Sequence, residues 1–157
     1  MKNNSALRQH VLDLLRGGHA HLGFERITAG LPAKLRAAKP AGLPYSPWQL
    51  VEHLRIAQWD ILEFSRNPKH VSPEWPAGYW PAVKTPTESA WRASRAAFLR
   101  DLQQMQDLVA DPKTDLFAVI PWSDGATILH EALLLADHNA YHLGQLVTLR
   151  RLVGAWK

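Results

Sequence analysis

Tyr45-Ser46-Pro47-Trp48-Gln49-Leu50 is a complete helix start compressed into one hexapeptide. Ser46 has the side chain of a cap, Pro47 suits the first helical position, and Gln49 closes a capping box. Tyr45 can staple to Leu50. Behind it Leu50, Leu54, Ala57, Ile61 and Phe64 recur at steps of four, three, four and three. That spacing predicts one apolar helical face, ending near Asn67-Pro68.

The device recurs at Thr85-Pro86-Thr87-Glu88, with Thr85 as the expected cap and Pro86 first in the helix. Trp91, Phe98, Leu102, Met105 and Val109 then mark a face until Asp111-Pro112. A third long helix is expected after Asp124, running to about Val153 without a proline. The N-terminal third is less regular. Leu7, Val11, Leu14 and Leu15 predict a short helix broken at Gly17-Gly18. Residues 20–29 predict a second one, followed by a Pro- and Ala-rich connection over 32–44. No segment alternates strictly enough for a strand of any length. Helices with heptad-like seams and moderate loops predict an all-α four-helix bundle.

The chain has 157 residues, 46% hydrophobic and 20% charged, which predicts one soluble globular domain over 1–157. It has no cysteine. Disulfides, thiolate metal sites and a cysteine nucleophile are excluded, and a cytoplasmic location is expected. No apolar run is long enough for a signal peptide or a membrane span. The formal charge of +4 raises nucleic acid as a partner. The basic residues are scattered among acidic ones, however, and no aromatics alternate with a basic stripe. A solvated basic surface is the better reading.

The segment 65–84 holds Pro68, Pro73, Pro76 and Pro81, which exclude regular structure, yet Trp75, Tyr79 and Trp80 are too apolar for a free linker. Such a loop packs over something: either it is a lid on a pocket or it caps one end of the bundle.

His138 and His142 stand four apart on the last helix, so both imidazoles can approach one ion. Spacing alone is weak evidence, since eight histidines in this length give roughly 0.4 such pairs by chance. Their register says more. Leu135, His138, His142, Leu146 and Leu149 form a core seam, so two core positions hold polar rings. Burying an unpaired polar group costs on the order of 1–3 kcal/mol, and leucine would avoid that cost unless the rings bind something. His53 lies beside Leu54, about 60° from the centre of its helix face, and looks across the inner edge of the bundle. A lone helix-borne histidine is ordinarily structural; with the pair on the last helix it becomes the third ligand.

Residues Ser46 to Leu54 and Asp137-His138-Asn139-Ala140-Tyr141-His142-Leu143-Gly144-Gln145-Leu146 resemble the two signatures of the DinB/YfiT-like metalloenzymes. The likeness covers nearly the whole chain. It implies an up-down-down-up bundle, usually dimeric, with a divalent metal on His53, His138 and His142. Zn and Ni both suit imidazole, and sequence does not separate them. Three protein ligands would leave the site open, as in catalytic centres.

Around that site, Asp60 projects on the side of His53 and Glu131 on the side of His138, each seven residues away. Either is a candidate to orient a ligand ring or take a proton, against the alternative of a merely solubilising carboxylate. Tyr141 points about 100° away from His142 on a helix. His10, His19, His21, His70 and His130 are left outside the site. Trp48, Trp59, Trp91 and Trp122 read as core or interface aromatics. Gly144 inside a helix suggests close helix approach, at a dimer contact or within the fold.

The resemblance implies relatives that transfer low-molecular-weight thiols to electrophiles, and others of hydrolase type. The expectation is therefore a metal-dependent thiol transferase or hydrolase acting on a small molecule. The rival is a metal- or small-ligand-binding module without turnover.

Overall fold

The computed structural model describes residues 2–156. The four long helices are α1 (Lys2–Arg16), α4 (Pro47–Arg66), α5 (Glu88–Ala110) and α6 (Ile128–Leu152). Short α2 (Phe24–Thr28) and α3 (Ala33–Arg36) link the first two, and a 3₁₀ turn (Ala77–Tyr79) interrupts the loop before α5. Among the described residues there is no strand, only an isolated bridge between Val119 and Thr127. No described helix is long and apolar enough to cross a membrane.

The start of α4 forms as its sequence dictates. The Gln49 amide donates to Ser46 Oγ at 3.3 Å, and the Ser46 amide donates to Gln49 Oε1 at 3.2 Å. Two amides that the helix leaves without partners are satisfied at once. The expected cap of α5, Thr85, is displaced by two residues: Thr87 accepts from the Ala90 amide at 3.1 Å. Both threonines have the chemistry of a cap. The later start places Glu88 in the first turn, where it suits the helix dipole and takes Arg36 at 2.5 Å and Arg92 at 3.0 Å.

At the N-terminal end, Gly17 (φ +65°) and Gly18 (φ +84°) adopt the left-handed conformation that ends α1 as expected. The helix foreseen over 20–29 shrinks to Phe24–Thr28, and the connection over 32–44 contains α3. A Cβ placed on Gly144 would meet nothing within 4 Å. The close helix approach suggested there is not made within the chain.

Two apolar clusters fill the interior. One joins Val11, Leu12 and Leu15 of α1 to Met105 and Val109 of α5, with Leu62, Leu116, Ile120 and Leu135. The other gathers Phe24, Ile27, Trp48, Leu54, Trp91, Phe98, Leu143 and Leu146. Between them lies a polar rung. Buried Asn139 donates to Gln58 Oε1 at 2.9 Å, and Gln58, fully buried, donates to the Phe98 carbonyl at 2.5 Å. Arginines fasten the ends. Arg8 donates to the carbonyls of Val109, Asp111 and Thr114 where α5 runs out of helical partners. Arg150 does the same for Ile27, Ala29 and Ala155 and lies over the Trp156 ring.

Candidate metal centre

His53, in the second turn of α4, meets His138 and His142 from α6. The Nε2 of His53 is 3.1 Å from that of His138 and 3.2 Å from that of His142. Nitrogens at that separation, each about 2.0–2.1 Å from a common ion, subtend roughly 100° at it, within the range of tetrahedral and octahedral coordination. The structure brings all three histidines together into a cluster that could hold a metal ion.

Proton positions strengthen the fit. His53 Nδ1 is 3.0 Å from the Tyr79 carbonyl, which can only accept. The proton therefore sits on Nδ1, and Nε2 presents a lone pair. His142 Nδ1 likewise donates to Gln145 Oε1 at 2.8 Å. Two lone pairs thus face each other with no hydrogen between them, an arrangement that a cation relieves. His138 Nδ1 is buried without a partner, so its ring is the least anchored of the three.

Burial also keeps the rings neutral. It lowers the pKa of His53 and of His142, against the opposing pull of their Tyr79 and Gln145 hydrogen bonds. His138 is pushed down to about 3, first by burial and then by the other two imidazoles. Neutral imidazole is the form that ligates metal.

The segment 65–84 divides in two: α4 extends through Arg66, and the remainder folds over the site. Trp80 lies flat on His53, with centroids 4.3 Å apart and planes 8° from parallel, and stacks in turn on Tyr45. Below them Asp60 binds the loop by both oxygens. It accepts from Tyr79 Oη at 2.6 Å and from His70 Nε2 at 2.7 Å. Burial, then this bond, raises the Tyr79 phenol to about 12. The loop covers His53, as a lid would.

Neither carboxylate touches a ligand imidazole. Asp60 reaches His53 only through Tyr79, whose hydroxyl it holds and whose carbonyl orients the ring. Glu131 is buried, with its carboxyl raised chiefly by burial, and contacts the exposed His130 at 3.1 Å. His70 is not a free loop residue; its side chain is only 6% exposed. Tyr141 stays exposed, with its ring edge against His142. Trp48 and Trp91 are core residues, whereas Trp122 is 39% exposed. The sequence marked Tyr79 and Trp80 only as aromatics of a packing loop, with no place at the histidines, and did not single out Gln145. Gln145 had a signal, being three residues after His142 on one helix face.

An all-helical protein with a covered three-histidine cluster on two packed helices is the class that fold and site define. Residues 20–146 match the model of the DinB superfamily. The chain belongs to that superfamily. No curated protein and no solved structure gives a significant match.

Proposed function

We propose that this chain is a divalent-metal-dependent enzyme of the thiol S-transferase or hydrolase type, acting on a small molecule at the three-histidine centre. One observation carries it: three neutral imidazoles converge by Nε2, and no fourth metal-binding side chain joins them among the described residues. Such a site leaves positions for water or substrate. A divalent ion there, Zn or Ni by donor type, would lower the pKa of a bound water or thiol.

The chain's own residues do the rest. Tyr79 and Gln145 fix two rings, and Trp80 keeps water from one face of His53. Asp60 acts as a positioning residue through Tyr79. Glu131 takes the proton-handling role, with exposed His130 linking it to solvent.

The architecture we assign is the up-down-down-up bundle. Supporting it, residues 53 and 58 of α4 meet 142 and 139 of α6, an antiparallel order. Residues 48 and 58 meet 91 and 98 of α5, a parallel order. We assign a homodimer to the outer face of α6, where Leu134 and Tyr141 remain exposed.

Elemental analysis of the purified chain tests the site. Close to one Zn or Ni per chain is expected, and essentially none in His138→Ala. Unchanged metal content in that variant would remove the assignment. Conjugation of a thiol to a haloarene only in the metal-loaded protein would establish the transferase. A loaded protein inert toward thiols and hydrolysable esters would point to a binding module.

A further inference from the structure

The polar rung next to the histidines is wired in one direction only. The Phe98 carbonyl can only accept, so it fixes Nε2 of Gln58, and Gln58 Oε1 then takes Nδ2 of Asn139. Turning both amides over would set Gln58 Oε1 against the Phe98 oxygen. In the orientation that remains, Asn139 Oδ1 is buried without a partner. An apolar pair of the same size would leave no such orphan, so stability does not explain the two amides.

Their position does. Apart from the contacts of the histidines themselves, this is the only hydrogen bond between α4 and α6 among the described residues. Asn139 stands between His138 and His142 in the chain, and Gln58 lies five residues beyond His53. Through the Phe98 carbonyl the same side chain also reaches α5. The apolar clusters on either side attract without direction and discriminate weakly between neighbouring registers. A metal centre is less tolerant. Its ligand distances hold to about 0.2 Å, whereas a slip of one helical residue moves a side chain by about 1.5 Å. Buried amides set register in helical assemblies at a cost in stability.

We propose that the Gln58–Asn139 pair is the register lock of the three-histidine centre, fixing the axial position of α6 on α4 so that the three Nε2 atoms converge. Both are positioning residues, acting through the helices that carry the rings. The consequence for metal rests on the reading of that centre as a metal site; the register itself does not.

The chain has no cysteine, so Arg66→Cys with Thr148→Cys, both at exposed positions, can carry spin labels at opposite ends of the α4–α6 pair. Their separation, read by pulsed electron resonance on metal-free protein, follows any axial slip. The labelled parent should give one narrow distance. Adding Gln58→Met with Asn139→Leu should keep the metal-free melting midpoint at or above the parent's. The same change should shift or broaden the distance by about 1.5 Å or more, one residue's rise. In unlabelled protein it should weaken zinc about tenfold in chelator competition, as loss of an outer support does. Gln58→Asn with Asn139→Gln, which keeps an amide bridge of the same length, should restore both the narrow distance and the zinc affinity. An apolar pair with the parental distance and zinc affinity, or an exchanged pair as loose as the apolar one, would overturn the lock. A wild-type chain that takes up no zinc would defeat the metal reading instead, and the spin-label distances would still decide the register.

Discussion

The seam between α1 and α5 and the seam between α4 and α6 solve the same packing problem with opposite materials. Val11, Leu12 and Leu15 meet Met105 and Val109 with no polar side chain among these five, and Arg8 works at the rim on main-chain carbonyls. The other seam has polar groups at successive levels: the three histidines, then Gln58 with Asn139, then Asp60 and Glu131. Apolar burial stabilises without specifying chemistry, whereas buried polar groups are tolerated only when bonded to something. One seam holds the bundle together and the other equips it.

The largest effect that would test this division is in the apolar seam. Met105→Ala, at a fully buried site, should cost about 2–5 kcal/mol in chemical denaturation and leave metal stoichiometry unchanged. A folded variant that had lost its metal would show that the two seams are not separable. Next comes Asp60→Asn, which weakens the grip on Tyr79 and His70. Removal of such an outer support should lower metal affinity about tenfold in chelator competition, with helix content intact. Unaltered affinity would reduce Asp60 to a loop fastener.

Smallest is the response to acid. The three imidazoles have folded pKa values below the unfolded value near 6.5. Below that pH the unfolded chain therefore binds more protons than the folded one, and stability falls as pH drops through the range between 6.5 and the depressed values. For His138 the window extends to about 3. Metal-free protein should lose on the order of 1 kcal/mol per pH unit between pH 6 and 5. His138→Ala should show a shallower slope in urea titrations at those pH values; an identical slope would mean that burial does not hold that ring neutral.

What was legible beforehand follows the same division. Capping boxes and steps of three and four are local, so Ser46, the face of α4 and the register of His138 and His142 could be read directly from the chain. His53 was reachable because it sits beside an apolar face. The start of α5 slipped because two threonines, Thr85 and Thr87, both have the chemistry of a cap, and the later start goes with a contact from Arg36, fifty-two residues upstream of Glu88. Gln58 and Asn139 carry no local mark of burial, since nothing in the sequence reveals that each is the other's partner. Tyr79, Trp80 and His70 act through loop geometry, which no helical period encodes.

The acceptor for His53 is a main-chain oxygen. No substitution at position 79 deletes it; only displacement of the segment can. The tautomer of that imidazole is therefore tied to loop position, and an ¹⁵N shift at its Nδ1 would report, site by site, whether the cover is down or lifted.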